Sequence, residues 1–320
     1  MLIRKARAED NEPLLELTRQ TPMDGKVSMR MDREPDFFAL TRERGESVVL
    51  VAEEEGRIVG VISASEREVY CLGEKRKVWL IAGFKALPNW RRHRVSYHLT
   101  LALKEELEAR GADLIFCTVV EGNEKVRPFL EGRLGFPPFD IMGQYLIRLL
   151  TPRPFSYTPP SGFDFFWVKD SFPELEAFYH RRLQQDYAWS VAYVERICRH
   201  CEHLVARLDG EIVAAISIFD PKPWKQVVIT DAPLFYRLLL FFSRQLAHVL
   251  PQLPSLRLRE PLPILDLRLL ACREDQVPAL RSLLQQARRL VWQRKYMIMA
   301  AGLDARDPLN RIFRGIPALS

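Results

Sequence analysis

The chain has 320 residues, enough for about two domains at roughly 150 residues each, and its 48% hydrophobic and 28% charged content excludes a disordered protein. Lys and Arg number 47 against 41 Asp and Glu, an excess of +6 without a polybasic run, which favours anionic ligands and argues against nucleic acid as the main partner. The most apolar stretch, Leu234 to Leu250, is broken by Arg237, Arg244, Gln245 and His248, so no membrane span is expected. The N-terminus lacks the apolar run and cleavage site of a signal peptide, and five scattered cysteines fit reduced thiols in a cytoplasmic protein.

In chain order, the pattern predicts a strand at 2–7, helices at 11–20 and 35–44, a β-hairpin over 47–67 and a long strand at 76–87. A helix at 93–110 follows, set by Leu99, Leu103 and Leu107 at helical spacing and ended by Gly111. Then come a strand at 113–120, a short helix at 123–133 and a last strand at 140–149. Residues 151–162 hold four prolines in twelve positions, which remove backbone donors and favour extended chain. This segment is expected to link a domain of residues 1–150 to one of 163–320.

The two sides of that linker are related. Val51 to Ser63 aligns without a gap on Val205 to Ser217, with Val, Ala, Gly, Ile, Val, Ile and Ser coinciding. Each copy reads as a hairpin turning at Gly56 or Gly210. After the linker the same order of elements is expected again: a helix at 172–186, the hairpin, a strand at 264–272, a helix at 276–294, a strand at 295–301 and a short helix from 307. An amphipathic helix at 233–249 is extra. The expected fold class is α+β, a tandem duplication with mixed, mainly antiparallel sheets flanked by helices as an α/β/α sandwich.

The most informative segment runs from Val78 to Leu99, a strand leading through a proline turn into a helix. Unpaired amides at such a helix start, with the positive end of its dipole, attract an anion, and Arg91, Arg92, His93 and Arg94 add charge. This segment resembles the cofactor loop of the GCN5-related N-acetyltransferases (GNAT superfamily), in Pro88, Trp90, Arg91, the aliphatic Val95 and Leu99. A second signature of that family, an Asn after the fifth strand and a later Leu-Gly-Phe, is matched by Asn123 and Leu134-Gly135-Phe136. Two loop positions that hold glycine in the family are Arg94 and Ser96 here, and Arg92 replaces a third frequent glycine. Arg94 then either aims its guanidinium at the phosphates or fills their place.

The resemblance implies an acyl-coenzyme A co-substrate, with acetyl-CoA as the first choice, and direct transfer of the acyl group to a small-molecule or peptide amine. It implies that Phe84, Lys85, Ala86 and Leu87 face the pantetheine arm, that Arg91, Arg92, His93, Arg94, Val95 and Ser96 face the pyrophosphate, and that Asn123 supports the arm. The family's frequent tyrosine acid is absent. Leu130 and Glu131 stand near its place, and Glu131 is a weak candidate for a catalytic acid, with an exposed ion-pairing role as the plainer reading. The corresponding turn of the second half has Asp275 as its expected helix N-cap, two acidic groups and no glycine, so it is not expected to bind coenzyme A. Two other functions stand beside the transferase: a non-catalytic acyl-CoA-binding or regulatory protein, and a tRNA-dependent aminoacyl transferase.

Cys198-Arg-His-Cys-Glu-His203 lacks a second ligand pair at zinc-finger spacing, so no metal site is expected. Asp186 with Glu195, and His180 with Glu176, are read as surface charge pairs, and Met23, Met29 and Met31 as the border of an acceptor pocket. The apolar face of Leu238, Leu239, Phe241 and Phe242 is expected to pack into the core, with a second copy of the chain, as a homo-oligomer, the alternative.

Overall fold

The computed structural model describes residues 1–319 other than 24, 26, 72, 185–188, 192, 193, 250 and 251, with only the backbone described for Arg91, Arg92, His93 and Leu239. The front elements are β1 (Leu2–Lys5), α1 (Asn11–Arg19), β2 (Ser28–Asp32), α2 (Ala39–Arg44), β3 (Ser47–Glu54), β4 (Arg57–Cys71), β5 (Glu74–Ala86), α3 (Val95–Ala109), β6 (Ile115–Cys117) and α4 (Arg127–Leu130). There follow β7 (Tyr145–Leu150), β8 (Asp164–Val168), α5 (Pro173–Gln184), β9 (Trp189–Val191), α6 (Val194–Cys198), β10 (Cys201–Leu208), β11 (Glu211–Phe219) and β12 (Gln226–Asp231). The chain continues through α7 (Leu234–Val249), β13 (Ile264–Cys272), α8 (Val277–Gln293), β14 (Ile298–Asp304) and β15 (Ala318–Leu319).

Both copies of the repeat fold into antiparallel hairpins with one local design. Glu55 and Gly56 have φ of 49° and 74°, and Asp209 and Gly210 have 52° and 83°. Positive φ at both central residues of a two-residue loop is the turn whose twist suits a hairpin. The pairing register also shifts at equivalent places, after Ala52 in β3 and after Ala206 in β10. The duplication read from seven shared residues therefore extends to backbone detail.

Around these hairpins lie two mixed sheets flanked by helices, of order β1-β3-β4-β5-β6 with β9 also on β4, and β15-β7-β14-β13-β11-β10-β8. Parallel pairing occurs between β5 and β6 and between β13 and β14. This is the α+β tandem architecture the sequence implies. Each sheet carries one long helix whose apolar stripe is sealed: Val95, Leu99, Leu103 and Leu107 of α3, and Leu280, Leu283, Leu284, Ala287 and Val291 of α8, are all 0% exposed. Gly60 lets α3 approach β4, since a Cβ there would lie 2.6 Å from Val95 Cγ1. Its repeat partner Ala214 is likewise fully buried.

By internal contacts, one compact unit comprises Met1–Glu68, Lys77–Ile141 and Pro223–Asp231, and the other Val69–Arg76, Met142–Lys222 and Ala232–Ser320. The strand expected at 140–149 forms as β7, yet it pairs with β14 and β15 in the second sheet, not in the first. The two-stranded sheet of β2 with β12 was not foreseen. The helix expected at 35–44 is shorter, starting at Ala39 behind Pro35, because a proline and its predecessor resist helical geometry.

Other expectations also change. Gln276, not Asp275, holds the N-cap position of α8, and the Asp275 carboxylate instead accepts from Gln276 Nε2 at 2.8 Å. Leu238, Phe241 and Phe242 on α7 are 46%, 53% and 62% exposed, so this face is not core, and the Leu239 side chain is outside the described ones. Cys198, Cys201 and His203 are interior packing residues, with Cys201 Sγ bonded to the Ile197 carbonyl. Among the described residues no group of three or more His, Cys, Asp or Glu could hold a metal, and no helix is long and apolar enough to cross a membrane.

Candidate functional site

The strand β5 changes partners along its length. Trp79 N donates to Leu114 O at 2.8 Å on the β6 side, and parallel pairing ends at Ile81 with Cys117. Leu87 N, eight residues beyond Trp79, donates to Val59 O at 2.9 Å on β4. Strict alternation would turn residues 79 and 87 to the same side, so one residue of phase is lost between them. Gly83, at φ 68°, is where the backbone can absorb it. After that shift, the N–H and C=O of Phe84 and Ala86 turn toward the edge that β6 no longer covers, while Leu87 spends its amide on β4. Of the four residues expected along a pantetheine arm, Phe84 and Ala86 thus have the available backbone. Leu87 also accepts from Trp90 N at 3.0 Å and buries its side chain.

Beyond Leu87 the chain makes a short 3-10 turn over Pro88–His93 and enters α3 through Arg94. Arg94 has φ 56° and ψ 24°, the left-handed conformation that glycine adopts at least cost. Its side chain is exposed rather than folded under the turn. The first amide bond within α3 runs from His98 N to Arg94 O at 3.1 Å, which leaves the amides of Val95, Ser96 and Tyr97 at an open helix start. No side chain caps this end, and no acidic residue lies in its first turn. Val95 is a core side chain and Ser96 accepts from the Thr100 hydroxyl at 2.6 Å, so both face an anion only through their backbone. The side chains of Arg91, Arg92 and His93 lie outside the described ones.

Asn123 is exposed and stands before a 3-10 turn without capping it. Glu131 bonds Arg127 Nε at 2.6 Å and Arg133 Nη2 at 2.7 Å. The Arg127 hydrogen bond, with the charges of both arginines, holds its carboxyl below the usual range, so Glu131 carries no proton to give near neutral pH.

A second set of groups on β5 has no signal in the sequence. Arg33, directly after β2, is 7% exposed, and burial pushes its guanidinium down to about 10. The group stacks over the Phe37 ring at 4.6 Å, and a Cβ on Gly83 would lie 3.0 Å from its Nη2 and 3.3 Å from Ser63 Oγ. Lys85 is also driven down, to about 8, chiefly by burial and then by the charge of Arg33, and its Nζ donates to Thr21 O at 3.3 Å. Met23, Met29 and Met31 are 45%, 39% and 37% exposed, with Met23 bridged to Met29.

The pairs set aside in the second half rearrange. His180 does not pair with Glu176, which bonds Ser171; instead its Nε2 meets Glu195 Oε1 at 2.8 Å and its Nδ1 meets the Tyr70 hydroxyl at 3.2 Å. Asp186 lies outside the described residues. His203 Nδ1, Ser217 Oγ and the Tyr179 hydroxyl form a chain of 2.8 Å and 2.9 Å bonds, sealed from solvent at 0 to 1% exposure.

Residues 12–136, which contain the strand break, the turn and α3, match the acetyltransferase (GNAT) family model. The chain carries a GNAT domain. The tandem GNAT protein from the clavulanic acid biosynthesis pathway superposes on it with a TM-score of 0.60 at 12% identity, over 97% of this chain and 92% of that one. Saccharomyces cerevisiae N-myristoyltransferase, solved with bound myristoyl-CoA, gives 0.62 at 12% identity, over 94% and 72%. The GCN5-related glucosamine N-acetyltransferase region of a fungal multi-domain GH3 β-N-acetylglucosaminidase gives 0.60 at 15% identity, and this chain spans 99% of itself but 37% of that protein. At these identities the likeness is one of fold, and it extends past the GNAT domain through the second sheet. No curated protein matches the chain significantly.

Proposed function

We propose that the protein is an acyl-CoA-dependent N-acyltransferase, with acetyl-CoA as donor and a small-molecule or peptide amine as acceptor. The observation that carries this reading is Arg94, which stands at a glycine position of the GNAT loop, adopts the left-handed geometry and keeps its side chain exposed. The loop amides are therefore presented much as a glycine loop would present them, and the start of α3 offers a diphosphate three amides without a competing cap or acid. The open backbone of Phe84 and Ala86 would receive the pantetheine arm beside them. Asn123 is proposed to support that arm.

The chemistry such a site supports is direct transfer. The amine nitrogen bonds to the acyl carbon as the C–S bond breaks, and the proton lost by the amine balances the one taken up by the departing thiolate. Positioning of the two reactants and a backbone donor at the thioester oxygen supply most of the rate. Glu131 has no part as acid, since its arginine partners keep it ionised. The turn from β13 into α8 carries Glu274 and Asp275 and is proposed to leave coenzyme A unbound.

Titration calorimetry with acetyl-CoA should show saturable binding at one site per chain. No heat at high micromolar ligand would sink the reading. A second reading, a non-catalytic acyl-CoA-binding protein of the same fold, draws on the ionised state of Glu131; intact binding with no turnover across a broad amine panel would select it.

A further inference from the structure

A buried cation without an anion is costly, and proteins pair such groups or leave them for a ligand. Arg33 is more than nine-tenths buried, and among the described residues its guanidinium has neither an ion pair nor a hydrogen bond. Its charge is not offset nearby. The groups whose charges reach Lys85 are Arg33, Arg30 and Asp32, so with Lys85 itself three cations face one carboxylate. That carboxylate is already held by Arg30, at 2.5 Å and 2.7 Å.

The surroundings fix Arg33 instead of letting it swing out to water. Gln226 clamps the next residue in both directions, accepting from Glu34 N at 3.0 Å and donating to Glu34 O at 2.8 Å. Phe37 supports one face of the guanidinium. Opposite lies Gly83, where any side chain would meet the guanidinium, and the buried Ser63, whose hydroxyl donates to Ala82 O at 2.7 Å. The planar fork is thus held against bare backbone on β5 with its donors unused, an arrangement suited to a carboxylate or phosphate.

We propose that Arg33 and Lys85 bind an oxyanion, carboxylate or phosphate, carried by the amine that accepts the acyl group. This rests on the transferase reading for the word acceptor, but the oxyanion site stands on Arg33 alone. The cofactor's own phosphates are the rival source. They are assigned to the α3 end of the loop, and four residues of extended strand, roughly 13 Å, separate Gly83 from Leu87, where that loop begins. Arg33 therefore sits at the opposite end of the open edge, where an acceptor would approach the acyl group.

The test uses the full chain and two probes, succinate and inorganic phosphate, titrated against sodium chloride of equal ionic strength. Saturable millimolar binding of either probe is expected, weakened about tenfold or more in both Arg33→Met and Lys85→Met, and unchanged with saturating acetyl-CoA present. Lys85→Met keeps the test available should Arg33→Met fail to fold. No saturation with either probe, or undiminished binding in the variants, overturns the site. Mutual exclusion of probe and acetyl-CoA, or a parallel loss of acetyl-CoA affinity in Arg33→Met, reassigns the anion to the cofactor and overturns the acceptor role. If acetyl-CoA does not bind while Arg33 still holds the probe, the transferase reading fails and the oxyanion site survives.

Discussion

Lys85 shows how one side chain records its surroundings. Its pKa falls from the ordinary 10.5 to about 8, first through burial and next through Arg33. Between those two values the unfolded chain keeps a proton that the folded one has released, so stability from this group rises with pH there. Its destabilisation is fully present below about 8 and is lost by about 10.5. Lys85→Met should accordingly raise unfolding stability at neutral pH by about 1 to 2 kcal/mol, with the gain shrinking as pH climbs through that window. Urea melts of both proteins at neutral and alkaline pH measure it; a gain independent of pH would mean that packing, not charge, is responsible.

Arg94 and Glu131 were visible in the sequence for opposite reasons. Arg94 stood out as a bulky residue where the family has glycine, and residue type alone left two placements for it. The backbone adopts glycine's conformation there, with the side chain in solvent. Glu131 stood near an expected acid, but the two arginines that hold it ionised reach it through the α4 turn and the loop behind it.

At the scale of elements, the joint between β4 and α3 positions the proposed site. Gly60 faces Val95 and Leu99, so the start of α3 lies as close to the sheet as a missing side chain permits. Gly60→Val would push the methyls into Val95 and displace that helix end. Overpacking of this kind costs about 1 to 3 kcal/mol. Thermal melts should show the loss, and calorimetry should show weaker acetyl-CoA binding because the amides of Val95 to Tyr97 move with the helix. Unchanged affinity in a destabilised variant would separate the packing role from the site.

The elements that were legible share strong local signals. The α3 stripe, ended by Gly111, and the hairpin turns at Gly56 and Gly210 declare themselves within a dozen residues. The phase shift at Gly83 does not, since a glycine in a strand pattern says nothing of which neighbour each amide meets. The short strands β2 and β12 were missed because their stability comes from each other, across almost two hundred positions of chain.

For the whole molecule, the proline-rich segment at 151–162 invites a cut between halves, and the contacts argue against making it. Fragment 163–320 would lose β7, which joins β14 to β15 and contributes the fully buried Leu150 to the second core. Fragment 1–150 would lose Pro223–Asp231, a member of the first compact unit. Each is expected to lack a cooperative unfolding transition when expressed alone, as followed by far-UV circular dichroism on heating. Two independently folding halves would show that these exchanged strands are dispensable.

By itself, the sequence determined the α+β class, the duplication and the GNAT-like run from Pro88 to Leu99, because periodicity, turn residues and local repeats act over short distances. Only the tertiary structure decided which sheet takes Tyr145–Leu150, which amides of β5 stay open and which cation is left without a partner. Those outcomes depend on residues far apart in the chain that are brought together by burial, and burial is a property of the folded whole.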